Sequence, residues 1–140
     1  TFLEEGTYDF SFSGVKTAVL YYLKNNDLLD SLSALSSTLL ADICASFQDA
    51  VVDVLVEKTL TAAEEMQVKD VALAGGVSAN SRLRNRMKEE CEKRNFKLFY
   101  PKLEYCMDNG AMIAYVGWMK LAHGITSGFE LPAIANLELV

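Results

Sequence analysis

The sequence predicts an α/β fold in which a sheet with a parallel component is flanked by helices. Two observations carry this prediction. Segments with strand patterning alternate with segments of helical periodicity, in the order strand, helix, long helix, strand, helix, strand, helix. A glycine pair also follows the second predicted strand, as is common where a strand turns into a helix. Alternating units of this kind build sheets with parallel strands and helices packed on them.

The composition is that of one globular domain. Hydrophobic residues make up 51% of the chain, and no apolar run approaches the roughly 20 residues that cross a bilayer. We therefore expect no membrane association and a cytoplasmic location. The cysteines, Cys44, Cys91 and Cys106, form no Cys-x-x-Cys pair, which favours a reducing compartment. A single histidine, His123, is too few for a typical two-histidine metal site within this chain.

The N-terminal part of the chain predicts a strand followed by a helix. Aromatic and polar residues alternate over 8–12, which is the period of a half-buried strand. Ser13 is then well placed to cap a helix that reaches about Lys24. Residues 28–33 are compatible with either a loose turn or one short helical piece.

A long helix is predicted next, from a cap at Ser36 or Ser37 to about Met66. Its apolar residues recur every three or four positions, so it is interpreted as a core helix with a solvated acidic edge. The expected buried face comprises Leu39, Ile43, Phe47, Ala50 and Val54. The expected acidic edge comprises Asp42, Asp49 and Asp53.

The segment 71–80 predicts a strand, a tight turn and the start of a helix. Four small apolar residues predict a buried strand, Gly75 and Gly76 a tight turn, and the residues up to Asn80 the start of a helix over about 79–94. Such a turn can bring bare backbone N–H groups to a phosphate, and Asn80 could hydrogen-bond a sugar or base. An ordinary strand-to-helix turn is the alternative, because the longer glycine-rich phosphate-binding signatures are missing.

Three further elements are predicted after this turn. Leu83, Met87 and Cys91 recur at helical spacing, so Cys91 is interpreted as a small core residue rather than a reactive thiol. Residues 96–100 predict a strand, and 108–122 predict a helix that is largely buried because it has almost no polar face.

The end of the last helix is also predicted from its residues. Gly124 fits the left-handed position after a helix, and His123 beside it is interpreted as a helix-terminus residue rather than a catalytic base. Residues 124–140 lack a clear period and are expected to form a partly irregular tail.

Charge is distributed unevenly along the chain. The net charge is −6, yet residues 82–102 contain eight of the thirteen basic residues and only three glutamates. Such a basic segment could meet the phosphates of a nucleic acid. The alternative, which the mixture of Arg, Lys and Glu favours, is a solvated helix face.

A second strand-to-helix junction, 106–110, carries Asp108. An aspartate at the start of a helix commonly caps it, which by itself would explain the residue. In open α/β sheets, however, ligands gather beyond the carboxyl ends of the strands. A carboxylate at that place could therefore hold a metal ion, together with ligands that this chain does not contain.

Four segments together resemble the C-terminal portion of the TsaD/Gcp/YgjD family, the tRNA N6-adenosine threonylcarbamoyltransferases formerly labelled O-sialoglycoprotein endopeptidases. The resemblance covers about residues 8–123. The segments are DFSFSGVKTA at 9–18, FQDAVVD at 47–53, AGGVSAN at 74–80 with Leu83 and Arg84 after it, and CMDNGAMIA at 106–114.

The resemblance implies a fold and an activity. The family has the actin/sugar-kinase/Hsp70-like (ASKHA, ribonuclease H-like) fold, so residues 1–140 are expected to form the C-terminal lobe of a two-lobed nucleotide-binding transferase. Its members transfer threonylcarbamoyl from threonylcarbamoyl-AMP to N6 of adenosine 37 in tRNA. Asn80 matches the nucleotide-contacting residue, with Gly75 and Gly76 in the loop around it, and Asp108 matches a ligand of the active-site iron or zinc. The implied partners are an adenine nucleotide, tRNA, and TsaB- and TsaE-type proteins.

Two departures from the family pattern qualify this reading. The other metal ligands of the family are a His-x-x-x-His pair that this chain lacks, and the tail lacks the basic-aromatic segment of many members. We therefore expect the 140-residue chain alone to be inactive, and no catalytic residue is assigned. The alternatives are a metallo-endopeptidase, as the family was formerly labelled, and a non-catalytic partner module of the same fold.

Overall fold

The computed structural model describes residues 7–29, 35–130, 132 and 134. The chain divides into two compact units, one ending at Cys106 and one beginning at Met107. The first contains α1 (Phe12–Asn25), α2 (Ser37–Glu65), β1 (Asp70–Ala72), α3 (Ser81–Lys93) and β2 (Lys97–Phe99), and the second contains α4 (Gly110–Ala122). No helix within the described part of the chain is long and apolar enough to cross a membrane.

The predicted parallel pairing is confirmed. β1 and β2 form a two-stranded parallel sheet in which Val71 lies opposite Leu98. The N–H of Leu73 extends the pairing beyond β1, since it donates to the carbonyl of Phe99 at 2.9 Å. α3 connects the two strands, so both chain segments that leave the sheet at its carboxyl edge lie close to the start of α3.

The core of the first unit lies where α2 and α3 pack together over β1. The predicted stripe of α3 is confirmed, since Leu83, Met87 and Cys91 are all buried. Burial raises the pKa of the Cys91 thiol, as expected for a core residue that stays protonated. The buried cluster comprises Val52, Val56, Leu60, Ala63, Val71, Leu83, Met87 and Cys91.

α2 has the predicted caps, but its predicted buried face is wrong over the first half. Ser36 accepts a hydrogen bond from the N–H of Leu39, and the helix ends at Glu65. Of the five predicted face residues only Val54 is buried, because α3 and β1 pack against a different face in the second half of α2, formed by Val52, Val56, Leu60 and Ala63. The apolar side of the first half, including Phe47, instead borders an open groove beside α1 of about 400 Å³.

The acidic edge of α2 does not simply face solvent, as the sequence predicted. Asp49 and Asp53 face the basic side of α3 and, with two glutamates further along α2, compensate part of its charge. Asp42 is exposed, as predicted, and borders the groove beside α1. The pairs are Asp49 with Arg82 at 2.7 Å, Asp53 with Arg86 at 3.7 Å, and Glu57 and Glu64 with Arg94 at 2.8 and 3.4 Å. Half-exposed pairs of this kind contribute little stability each, about 0–1 kcal/mol. Their main effect is to favour one orientation of α3 on α2.

The predicted N-terminal strand is wrong. Only Phe10 has bridge geometry, and α1 begins at Phe12, where the sequence placed the strand's last residue. The cap is Ser11 rather than Ser13, because the Ser11 hydroxyl accepts the N–H of Gly14 at 3.2 Å. The predicted helix itself, to about Lys24, is confirmed.

A buried lysine helps to hold the segment before α1. The Lys58 ammonium donates to the carbonyls of Thr7 and Asp9, at 3.0 and 2.6 Å, and lies 5.8 Å from the Phe10 ring centroid. These contacts satisfy carbonyl groups that a strand ladder would otherwise use. The segment is thus fastened to the middle of α2 without regular structure.

The last helix starts later and is more exposed than the sequence predicted. α4 runs from Gly110, and none of its residues is buried; Ile113 and Trp118 are 75% and 63% exposed. Among the described residues of the second unit there is no other helix or strand to cover it. The predicted end is confirmed, with His123 as the C-cap and Gly124 at φ +71°.

Two predictions fall wholly or partly outside the described residues. The choice between a turn and a short helix at 28–33 falls mostly on residues 30–33, which lie outside the described residues. The tail is described at 124–130, 132 and 134, where it forms no helix or strand, and its residues 131, 133 and 135–140 lie outside the described residues. The assignment of residues 1–140 to one lobe likewise stays a prediction.

The core at the centre of α3 gives a stability prediction. Met87 is fully buried, so Met87→Ala leaves a cavity and is expected to lower the free energy of unfolding by about 2–5 kcal/mol. Met66 is 63% exposed and provides the matched control, for which Met66→Ala should change stability by less than about 0.5 kcal/mol. Urea unfolding of the intact protein measures both, and equal effects would contradict this core.

Candidate functional site

The turn after β1 has the backbone that the glycine pair predicted. Gly75 adopts φ +81° and ψ 173°, a conformation that essentially only glycine occupies. The predicted helix start is wrong by two residues, since Gly76–Ala79 forms a 3-10 turn and α3 begins at Ser81. The reason is Asn80, whose extended backbone at φ −65° and ψ 120° separates the two helical pieces.

Asn80 is the N-cap of α3, and both ends of its amide are engaged. Its Oδ1 accepts the N–H of Leu83 at 2.9 Å, and its Nδ2 donates to Oε1 of Gln48 on α2, also at 2.9 Å. The cap fixes which end of the amide is the oxygen, so the second Nδ2 hydrogen has a defined direction. The role of Gln48 was not predicted, because it depends on a contact between residues 32 positions apart.

The turn presents unpaired backbone donors. The N–H groups of Gly76 and Val77 have no acceptor among the described residues, since they precede the first bonded position of the 3-10 turn. Both residues are exposed, Val77 by 65%. The binding of a phosphate by these N–H groups stays a prediction.

A cavity of about 710 Å³ borders the turn within the first unit. This volume lies in the range of small-molecule sites, which are typically apolar with a few polar groups. Ser78 lies on its wall, and the buried Oγ of Ser78 has no hydrogen-bond partner among the described residues. The other polar lining residues are Lys16, Gln48 and Asn80.

Asp108 is not the cap of α4, so the simplest structural explanation of this residue is wrong. Asn109 is the cap, because its Oδ1 accepts the N–H of Met112 at 3.0 Å and its Nδ2 donates to the Met107 carbonyl at 2.9 Å. The Asp108 carboxylate is exposed and forms no ion pair or hydrogen bond with the residues that the structure describes. It is therefore free to bind a ligand.

The described residues do not form a metal site on their own. Among them, no three His, Cys, Asp or Glu side chains come together in a way that could hold an ion. Asp108 can supply one carboxylate ligand, which is fewer than any resident iron or zinc ion requires. It lies in the second unit and the glycine turn in the first.

Comparison with known proteins decides the family. The family model described as TsaD, tRNA N6-adenosine threonylcarbamoyltransferase, matches residues 1–115. The chain belongs to the TsaD family. Proteins named tRNA N6-adenosine threonylcarbamoyltransferase are similar to it: that of Kosmotoga olearia is 42% identical over 98% of this chain, that of Thermosipho africanus 44% over 98%, and that of Prosthecochloris aestuarii 48% over 85%.

The TsaD relatives are considerably longer than this chain. The matched residues span 39% of the Kosmotoga and Thermosipho proteins and 33% of the Prosthecochloris protein. All four segments that predicted the TsaD family lie within the matched residues 1–115. The α/β architecture with a small parallel sheet is what this part of the TsaD chain forms.

The strained turn gives a prediction about folding. A side chain at Gly75 would meet no atom within 4 Å, so the cost of Gly75→Ala comes from the backbone conformation alone and is expected to be about 1–3 kcal/mol. Gly117 in α4 is also surrounded by open space but has helical geometry, so Gly117→Ala should stabilise by up to about 1 kcal/mol. Thermal or urea unfolding of the two variants measures this contrast, and an equally tolerated Gly75→Ala would contradict the turn.

Proposed function

We propose that the whole protein transfers a threonylcarbamoyl group from threonylcarbamoyl-AMP to N6 of adenosine 37 in tRNA, and that this chain supplies the turn that binds the nucleotide part of the donor. The observation that carries the proposal is the glycine turn, with its unpaired N–H groups, beside the fixed amide of Asn80. Membership of the TsaD family and the names of the similar proteins support this reaction.

The chemistry of the donor matches the groups at the turn. Threonylcarbamoyl-AMP carries a phosphate, which the N–H groups of Gly76 and Val77 can bind. The remaining Nδ2 hydrogen of Asn80 can donate to an acceptor on the sugar or base. In the proposed transfer, the adenosine amine forms a bond to the carbamoyl carbon and gives up one proton to water, the bond from that carbon to the phosphate oxygen breaks, and AMP leaves with the electron pair of that bond. Binding and orienting AMP is the part assigned to this chain.

The proposal also covers the place of this chain in the whole protein, its metal ion and its partners. In the whole protein we place it as the C-terminal lobe of a two-lobed ASKHA fold, with Asp108 as one ligand of an iron or zinc ion. The remaining ligands belong to residues outside this chain. TsaB- and TsaE-type proteins and tRNA are the proposed partners, and the cytoplasm is the proposed location.

The role of Asp108 is tested by Asp108→Ala in the full-length protein. Transfer of labelled threonine to tRNA is expected to fall to background, while the far-UV circular dichroism spectrum stays that of the folded protein, because no described contact of the fold uses this carboxylate. Glu104→Ala, which removes another exposed carboxylate four residues earlier, is the control and should retain activity.

The same assay tests the division of the site between this chain and the rest of the protein. The 140-residue chain alone should show no transfer, because one carboxylate does not make a metal site. Full activity of Asp108→Ala would rule out the proposed role of this carboxylate, and family-level turnover by the isolated chain would show that the site is complete within it.

A further inference from the structure

We propose that Arg84 is a positioning residue, which holds the turn 75–80 in its binding conformation by tying it to the segment that follows β2. The inference rests on the proposed function, since it concerns the nucleotide site of that reaction. It gives Arg84 a role other than the contact with nucleic acid that the basic segment 82–102 suggested.

The guanidinium of Arg84 joins the two chain segments that leave the carboxyl ends of β1 and β2. Its Nε donates to the carbonyl of Ser78, within the turn. Its Nη2 donates to the carbonyl of Pro101 at 2.9 Å and to Sγ of Cys106 at 3.0 Å. The guanidinium carbon also lies 4.7 Å from the centre of the Tyr100 ring. One side chain thus links Ser78 to three residues of the segment 100–106.

The place of Arg84 in α3 explains how it reaches the turn. Side chains on a helix lean toward its N-terminus, so a residue in the second turn of α3 covers the residues that precede the helix. A planar guanidinium has five N–H donors in a fixed fork and can therefore bind two carbonyls and stack on a ring at once. A lysine at the same position keeps the charge but has no flat face and no fork.

Arg84 differs from the other arginines of α3. Arg82 and Arg86 form ion pairs with Asp49 and Asp53 on α2, in contacts where all four side chains are at least one third exposed. Arg84 is half-buried and binds backbone carbonyls and a thiol, and it forms no ion pair with a carboxylate of the described residues. This geometry favours an internal link over a contact with tRNA, the role that the cluster of basic residues had suggested.

The link bears directly on the ligand-binding groups. Ser78 lies between the exposed N–H groups of Gly76 and Val77 and the amide of Asn80, all within five residues. If the Ser78 carbonyl loses its donor, the short 3-10 turn is fixed only by its own bonds and by the Asn80 cap. The N–H groups and the amide then no longer hold one arrangement for a nucleotide, so affinity falls although no ligand contact has been removed.

The test is calorimetric titration of the full-length protein with AMP, the product of the proposed reaction. Arg84→Lys is expected to raise the dissociation constant about tenfold or more, as is typical when a supporting residue of a site is lost. Arg86→Lys keeps a charge on the same helix and breaks no link to the turn, so its dissociation constant should stay within about twofold of the wild type.

A chemical rescue distinguishes positioning from general loss of stability. In Arg84→Ala, millimolar guanidinium chloride should restore AMP binding at least in part, whereas the same concentration of sodium chloride should not. A second variant keeps the inference testable if Arg84→Lys does not fold. Tyr100→Leu removes the ring but leaves the hydrogen bonds, and it should weaken AMP binding about two- to fivefold.

The other possible outcomes separate the positioning role of Arg84 from the proposed nucleotide-binding function of the turn. If wild-type protein does not bind AMP, the proposed function of the turn fails, whatever Arg84 does. If wild type binds and Arg84→Lys binds equally well, the positioning role is overturned and the function stands. If Arg84→Lys weakens only tRNA binding, with a smaller salt dependence, Arg84 is a phosphate contact instead.

Discussion

The packing of α3 onto the second half of α2 and β1 is the contact on which the rest of the described structure depends. Leu83, Met87 and Cys91 form its buried stripe, and the charge pairs between the two helices flank it on the surface. Because this contact fixes the start of α3, it also fixes where the turn after β1 must end. Apolar burial supplies the stability, and the exposed ion pairs select the orientation.

One consequence is that Asn80 and Arg84 each have a structural role in α3 as well as a role in the candidate site. Asn80 ends the turn, caps α3 and contacts Gln48, so the hydrogen bond that starts the helix also orients the group proposed to bind nucleotide. Arg84 likewise belongs to the helix and links the turn to the segment after β2. A site of this kind is held by the edge of the core rather than by loops alone, which favours a fixed geometry.

Local signals in the sequence were sufficient where structure depends on neighbours along the chain. The stripe of α3, the parallel strands, the glycine turn and the end of α4 were predicted from spacing and residue type. Caps were wrong at Ser13 and Asp108 because another capping residue stood one or two positions away, at Ser11 and Asn109. Three features depend on which elements pack against each other, and the periodicity of a sequence carries no information about that. They are the buried face of α2, the ion pairs of its acidic edge and the exposure of α4. The contacts of Gln48, Ser78 and Arg84 were missed for the same reason.

The claim that the turn 75–80 lies against a bound adenine nucleotide is tested most directly by photolabelling. Full-length protein is irradiated with 8-azido-AMP, with and without excess AMP, and digested with trypsin. Cleavage after Lys69 and Arg82 isolates residues 70–82, which contain the whole turn. If the turn 75–80 binds the nucleotide, this peptide carries the label, and excess AMP prevents the labelling. Labelling that AMP removes from other peptides only, with residues 70–82 unmodified, would contradict it.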